Sequence, residues 1–204
     1  MAEFQTIPLG EVCQVTPGPS GVLLDNLHDG PNGVPVVAPP DITDQGSINA
    51  KHVRRASVDR AEKLSRFRLR EGDILYVRQG AIGRLALAGP QYTGWIYSSA
   101  CLRIRPNKEL VLPAYLAAFL SYEPTRSIVL EQALPGTVPS LNVSRFPEIP
   151  IVLPPLSQQQ VIAETIGDIA ANADIHRAIV DRLNVLRQAV FADMIQGRDS
   201  LWAP

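Results

Sequence analysis

The chain has 204 residues, of which 46% are hydrophobic and 19% are charged. This apolar content is enough to bury a core and argues against global disorder, and the length suits one substantial domain with an appended element. The net charge of −1 excludes a uniformly basic protein, so any contact with nucleic acid must come from a local excess of positive charge.

The sequence has no pattern of a secreted or membrane protein. Its apolar runs are short and are broken by proline or charge, so we expect none of them to span a membrane. The first residues, Met1 to Phe4, lack a basic start followed by an apolar stretch. Cys13 and Cys101 form neither a disulfide framework nor a metal motif. We therefore expect a cytoplasmic protein with reduced thiols.

The first part of the chain, to about Pro155, is rich in proline and glycine and is typical of short strands joined by loops. A helix-to-strand entry is predicted over residues 7–15. The run from Phe67 to Val77 alternates in part and is interrupted by a turn at residues 71–73. Further strands are predicted at residues 34–38, 85–88, 95–97, 100–104 and 149–153. Together these elements predict a β-rich core.

A strongly basic segment lies inside this part, between residues 51 and 70. It holds eight basic residues against Asp59 and Glu62, a net charge of +6, which leaves −7 for the rest of the chain. The pattern fits a surface that faces a polyanion and equally fits a solvated surface segment. The basic residues are Lys51, Arg54, Arg55, Arg60, Lys63, Arg66, Arg68 and Arg70.

Two helices and a turn-rich loop follow the predicted strands. Pro113 suits the first turn of a helix over residues 113–123, with Leu116, Phe119 and Leu120 on one face. Pro124 is predicted to end that helix, and a second short helix is predicted over residues 125–132. Residues 134–142 are a loop of turn-forming residues.

After Pro155 the chain predicts one long helix, because no proline occurs between residues 156 and 201. Ser157 with Gln160 is predicted to form a capping box, with Leu156 and Val161 at the staple positions. Gly197 is predicted to follow the last turn. A helix of about 40 residues needs a partner surface along its length. Its apolar series is Ile162, Ile166, Ile169, Ala173, Val180, Leu183, Val190 and Met194, interrupted by His176 and Arg187.

The order of several motifs, more than any one of them, indicates a family. The series resembles the specificity subunits of type I restriction–modification enzymes over nearly the whole chain. Those subunits usually hold two recognition domains, each followed by a conserved helix, whereas this chain has one of each and so resembles a half-length form. The family often has Glu-Gln where this chain has Gln158-Gln159. The motifs lie at residues 9–12, 35–42, 72–75, 78–86, 113–116, 136–142, 149–159 and 186–189.

This resemblance implies an α+β fold, with a β-rich target-recognition domain at residues 1–155 and a long helix at residues 156–204 that pairs antiparallel with a partner helix. It implies a DNA-reading subunit without catalytic residues of its own. Adenine methylation, at a bipartite site, would be done by a modification subunit that carries S-adenosylmethionine. Cleavage would need a restriction subunit. The implied partners are therefore double-stranded DNA, these subunits and a second copy of the chain.

Within that reading, we expect DNA contacts in three places. Arg66, Arg68 and Arg70 alternate with Phe67 and Leu69, which predicts three guanidinium groups on one side of a strand; an exposed charged strand face is the alternative. Lys51, His52, Arg54 and Arg55 fall in a predicted loop. The remaining candidates flank the loops around residues 80–83 and 137–142 and are Arg78, Gln79, Arg84, Thr137, Ser140 and Asn142. For these, a tight turn or self-satisfied polar turns are the alternatives.

Other readings remain open from the sequence. The chain could be an interaction module that binds the modification subunit without reading DNA. A nuclease would need a metal held by Asp41, Asp44 and Asp73, a set that matches no metal motif. The histidines have no ligand-like spacing either, so we expect no metal. Tyr92, Trp95 and Tyr97 could stack on DNA, although aromatic residues near strands are more often core or rim.

Overall fold

The computed structural model describes residues 4–19, 24, 26–134, 136–137 and 139–195. Gly197 and the end of the predicted helical segment lie outside these residues. The chain divides into two compact units, Met1–Ala163 and Glu164–Pro204. Among the described residues, we find no helix with the length and apolar character needed to cross a bilayer.

The centre of the first unit is a four-stranded antiparallel sheet. Strands β2 (Cys13–Pro17), β5 (Ile74–Val77), β6 (Leu85–Leu87) and β8 (Cys101–Pro106) lie in the order β2-β8-β5-β6. All four residues of β5 are buried because both faces of the sheet are covered. Ile74 and Tyr76 face one apolar cluster, and Leu75 and Val77 face the other. The run Ile-Leu-Tyr-Val is therefore apolar throughout and does not alternate.

The other strands form small sheets around this centre. Strand β3 (Val34–Val37) pairs antiparallel with β4 (Arg55–Ala56) and parallel with β7 (Ile96–Tyr97). Strand β1 (Gln5–Pro8) pairs antiparallel with β11 (Pro150–Leu153), and β9 (Ala133–Leu134) pairs antiparallel with β10 (Ser140–Leu141). Because helices accompany these sheets, the predicted α+β class with a β-rich core is confirmed.

Three short α-helices lie in the described part of the first unit before the long helix begins. They are α1 (Val58–Lys63), α2 (Pro113–Ser121) and α3 (Glu123–Glu131). Leu116 and Leu120 of α2 are fully buried in the first apolar cluster. The prediction that Pro124 ends α2 was wrong, since Pro124 lies in the first turn of α3. A missing N–H costs nothing there because the first amides of a helix have no intrahelical partner.

The long helix α4 (Leu156–Ile195) has 40 residues, as the sequence predicted, but it begins differently. Ser157 is already the second residue of the helix, so it cannot be the residue that caps it from outside. The carbonyl of Pro155 instead accepts from the amides of Gln158 and Gln159. The helix starts early because a proline can serve as the residue before a helix, using only its carbonyl oxygen.

Gln159 attaches the first turn of α4 to the rest of the first unit, and sequence reasoning did not predict this role. Its side chain is fully buried. Its Oε1 accepts from the Leu112 amide at 2.8 Å, while its Nε2 donates to the carbonyls of Leu110 at 3.0 Å and Pro154 at 2.8 Å. A buried amide that is satisfied in this way specifies one arrangement of the groups around it.

In the second unit, the described part of α4 presents its apolar side chains to solvent. Of the predicted apolar series, Ala173 is half-buried and the others are exposed, with Val190 at 37% and Ile169 and Met194 at 61% of their full exposure. Ile166, Val180 and Leu183 lie between these values. A helix this long with exposed isoleucine, leucine and valine is typical of a surface that packs on a partner.

Candidate nucleic-acid interface

The segment from Ser65 to Arg70 is not a strand, which corrects the prediction for Arg66, Arg68 and Arg70. Residues Ser65–Phe67 form a 3-10 turn, in which the Arg68 amide donates to the Ser65 carbonyl at 3.1 Å. Phe67 and Leu69 are nevertheless buried, as the alternation predicted. The alternation of basic and apolar residues correctly predicted which side chains are buried. Such alternation does not require the hydrogen bonds of a strand.

The three arginines of this segment differ in their surroundings. Arg66 is exposed, and its guanidinium lies over the Phe67 ring, 4.6 Å from the ring centroid. Arg68 is half-buried, and its Nη1 donates to the Gly94 carbonyl at 3.1 Å. Arg70 is exposed. Arg66 and Arg70 are thus accessible to a ligand, whereas Arg68 holds two parts of the fold together.

A buried ion pair lies beside this segment. The carboxylate of Asp73, 1% exposed, accepts from Arg105 Nε at 2.7 Å and from Arg105 Nη2 at 2.6 Å. It also accepts from the Arg70 amide at 2.8 Å. Asp73 follows Gly72, whose φ of +88° suits glycine and forms the predicted turn. The hydrogen bond to Asp73 raises the pKa of the Arg105 guanidinium.

Arg103, on the same strand as Arg105, is more deeply buried than Arg105. Its Nη1 donates to the Arg66 carbonyl at 2.9 Å, and its Nη2 contacts the side-chain oxygens of Gln14 and Thr16 at 3.3 Å each. Its Nε has no hydrogen-bond partner among the described residues. Burial lowers the pKa of this guanidinium, because its partners are neutral oxygens and desolvation disfavours the charged form.

Two loops meet at the other end of β5. The Leu141 amide donates to the Arg78 carbonyl at 2.9 Å, and Gln79 forms an isolated antiparallel bridge with Ser140. Arg78 Nε donates to the Ser99 carbonyl at 2.7 Å. The structure therefore brings together Arg78, Gln79 and Ser140, which the sequence could not place relative to one another.

The outer residues of these loops carry further contacts. Arg84 pairs with Asp44 at 2.5 Å, and both side chains are substantially exposed. Thr137 is exposed. Asn142 Oδ1 accepts from the Ser144 amide at 3.0 Å, which is the self-satisfied polar turn that the sequence left open as an alternative. That bond uses the side-chain oxygen of Asn142, so its side-chain NH2 group needs an acceptor elsewhere.

The third predicted group, residues 51–55, is only partly a loop. Lys51 and His52 are exposed within the 3-10 turn Ala50–His52. Arg54 is exposed and donates to the Leu27 carbonyl, and its Nε lies 3.8 Å from the Asp29 carboxylate. Arg55 belongs to strand β4 and donates to the Gly33 carbonyl at 3.2 Å. Arg55 is thus engaged in the fold, which corrects its placement in a loop.

The predicted residues do not form one cluster. Arg70 and Asp73 precede β5, and Arg78 and Gln79 follow it. A strand of four residues is about 13 Å long at roughly 3.3 Å per residue. Arg70 and the loop around Gln79 therefore lie at opposite ends of one strand.

The aromatic and acidic candidates have other surroundings. Tyr97 is fully buried, and its hydroxyl donates to the Thr16 carbonyl at 3.3 Å. Tyr92 and Trp95 are half-buried and pack edge to face with ring centroids 5.0 Å apart. Asp73 is engaged by Arg105. Within the part of the chain that the structure describes, no group of three or more His, Cys, Asp or Glu residues could hold a metal.

Sequence reasoning missed Arg103, Arg105 and Lys108 as candidate residues. Arg103 and Arg105 alternate with Leu102 and Ile104 across the end of the strand predicted at residues 100–104, so a period-2 pattern of basic residues was present. The importance of Arg105 comes from its contact with Asp73, which lies 32 positions earlier in the chain. No local pattern shows that contact.

Comparison with known proteins gives a consistent picture. A family model described as "Type I restriction modification DNA specificity domain" matches residues 1–185. The chain is 25% identical over 178 residues to the EcoBI type I restriction enzyme specificity subunit of Escherichia coli, covering 85% of this chain and 36% of that protein. It is 27% identical over 127 residues to the HindI specificity subunit of Haemophilus influenzae, covering 60% and 28%. The chain thus spans about a third of the length of these relatives.

Solved structures share the fold. The type I restriction–modification S subunit of M. genitalium aligns with a TM-score of 0.64 at 13% identity, over 97% of this chain and 47% of that one. The HsdS subunit of Thermoanaerobacter tengcongensis aligns with a TM-score of 0.63 at 21% identity, over 93% and 44%. At these identities the similarity is one of fold.

Proposed function

The chain belongs to the type I restriction modification DNA specificity domain family, and from that membership we propose that it reads a DNA sequence and directs a partner modification subunit to methylate adenine there. The match over residues 1–185 is the observation that carries this proposal. The chain itself contributes recognition and no catalysis. S-adenosylmethionine is bound by the modification subunit, and cleavage depends on a restriction subunit.

In this proposal residues 1–155 are the target-recognition domain, and the loops at the end of β5 read bases. Gln79 and Asn142 carry amides of the kind that make two hydrogen bonds to adenine in the major groove, and Ser140 lies beside Gln79. The Arg78 guanidinium is oriented by the Ser99 carbonyl, which reduces the freedom lost when it binds. Positively charged side chains around the loops add phosphate contacts that fix the register on the duplex.

The helical segment, residues 156–204, joins two recognition domains in this proposal. The exposed apolar side chains of α4 pack antiparallel against α4 of a second copy. A pair of this kind has two-fold symmetry, so the two domains read the same half-site in opposite orientations. The complete target is then an interrupted palindrome, and the helices set the distance between its halves.

Selection of duplexes from a randomised pool by the full chain tests this function. We expect a short motif to be enriched. Gln79→Ala should weaken the preference at one base pair by about 1 to 3 kcal/mol, the discrimination supplied by one two-bond contact to a base. The control Gln91→Ala removes a glutamine that is distant from the loop, in the 3-10 turn Pro90–Tyr92, and should leave the motif unchanged.

Enrichment of no motif by the full chain, alone or with its modification subunit, would contradict the proposed function. If the modification subunit still bound the chain in that case, the chain would be an interaction module. An enriched motif that Gln79→Ala leaves intact would keep the function and reject Gln79 as a base-reading residue.

A further inference from the structure

Two open clefts adjoin at Arg105 of strand β8, the first along strand β2 and the second at the turn that precedes β5. The first, of about 600 Å³, is lined by Gln14, Thr16, Arg66, Phe67, Arg103 and Arg105, among others. The second, of about 500 Å³, is lined by residues that include Arg70, Glu71, Asp73, Arg105 and Lys108. Both clefts share Arg105, so they form one continuous surface, which we call the arginine groove.

The arginine groove has a positive field. Five cationic side chains line it against two carboxylates, Glu71 and Asp73. The Asp73 carboxylate is buried and already bound to Arg105. Arg103 lines the first cleft, and its hydrogen-bond partners are neutral oxygens. Fixed charges of one sign at low-dielectric walls attract anions of the opposite sign.

The groove also supplies accessible donors. Arg66, Arg70 and Lys108 are exposed, and in the described part of the chain none of them pairs with a carboxylate. Arg66 is oriented by its contact with the Phe67 ring. The side chain of Lys108 lies against Gly72: a Cβ atom added at Gly72 would be 3.3 Å from the Lys108 Nζ. Two of the three cations thus have neighbours that position them at the rim of the groove.

We propose that the arginine groove binds the sugar–phosphate backbone of duplex DNA, with Arg66, Arg70 and Lys108 as the phosphate contacts and Arg103 and Arg105 as the fixed positive floor. This inference rests on the proposed function, since it assigns one part of the same DNA contact. Two adjoining open clefts fit a continuous chain of phosphates better than a single small anion. Their donors contact phosphate oxygens and carry no sequence information, whereas the loop around Gln79 reads bases.

The salt dependence of DNA binding by the full chain tests the groove. Each phosphate contact adds about 0.9 to the slope of log K against log salt for duplex DNA. The triple variant R66A/R70A/K108A should therefore lower the slope by about 2 to 3 on every duplex and leave the preferred sequence unchanged. The control K63A/R177A/R182A removes three exposed cations that line neither cleft and should keep most of the slope.

The outcomes separate the groove from the function. An unchanged slope in R66A/R70A/K108A, or an equal fall in the control, overturns the groove even when the wild-type chain binds DNA selectively. A wild-type chain with no measurable affinity for any duplex overturns both the groove and the proposed function. A loss of slope confined to R66A/R70A/K108A, with the sequence preference kept, supports the groove.

Discussion

Replacing Asp73 with asparagine is expected to lower the free energy of unfolding by about 3 to 5 kcal/mol, the typical cost of removing one partner of a buried ion pair. Asp73 is 1% exposed and accepts two hydrogen bonds from Arg105. In Asp73→Asn the Arg105 guanidinium stays partly buried without its counter-charge, on the same strand as the buried Arg103. Urea unfolding of both proteins, followed by circular dichroism, measures the difference.

A matched control is available at Asp44. Its carboxylate pairs with Arg84, as Asp73 pairs with Arg105, but Asp44 is 68% exposed and Arg84 is 37% exposed. Asp44→Asn should therefore change the stability by about 0 to 1 kcal/mol, the usual contribution of a surface pair. Equal losses in the two variants would contradict the view that burial makes the Asp73 pair important.

Replacing Leu183 with glutamate is expected to weaken self-association of the chain at least about 100-fold. The apolar positions of α4 follow two series of period seven, one through residues 162, 169, 183 and 190 and the other through 166, 173, 180 and 194. This spacing is typical of a helix that packs along one seam. Each copy would lose one buried leucine, worth roughly 1.5 to 3 kcal/mol, and would gain a charge at the seam. Sedimentation equilibrium measures the dissociation constant.

A position on the opposite side of the helix gives the control. Val185 is also exposed but lies at the outermost position of the seven-residue repeat, so Val185→Glu adds the same charge on a face that would contact no partner helix. We expect it to leave the dimer intact. A wild-type chain that is monomeric at all accessible concentrations would reject the antiparallel pairing, and so would equal effects of Leu183→Glu and Val185→Glu.

His176 and Arg187 occupy positions of the same two seven-residue series. Polar residues at single seam positions lower the stability of helix pairing but favour one register over others. In the proposed dimer, the register of the two helices determines the distance between the recognition domains. These two residues would therefore weaken the pairing of the helices while fixing the distance between the recognition domains.

The sequence predicted the central sheet and the long helix well. Strands β5 and β6 are short apolar runs bounded by turn residues, and such runs need little context because burial on both faces requires apolar side chains throughout. Helix α4 was predicted because 40 residues without proline leave few other structures. The predicted start of α4 was wrong. Ser157 was expected to cap the helix from outside, whereas the Pro155 carbonyl accepts from the first amides of the helix.

The candidate site was less predictable because its contacts join distant parts of the chain. Alternation at residues 66–70 identified the buried Phe67 and Leu69 but could not decide between a strand and a 3-10 turn, since that depends on whether a neighbouring strand is available for pairing. The hydrogen-bond partners of Asp73 and Arg103 could not be predicted either, because they too lie in distant parts of the chain. The density of positive charge along the sequence identified the basic segment at residues 51–70. The structure places Arg103 and Arg105 of β8 against the last part of that segment.

A modified-base map of cellular DNA tests the central claim most directly, which is that this chain selects the sequence to be methylated. DNA from cells that express the chain with its modification subunit is compared with DNA from cells that express the modification subunit alone. We predict methyladenine at one interrupted palindrome, present only when the chain is expressed. Methylation at the same sites without the chain, or no methylated motif although the two proteins bind each other, would contradict the account.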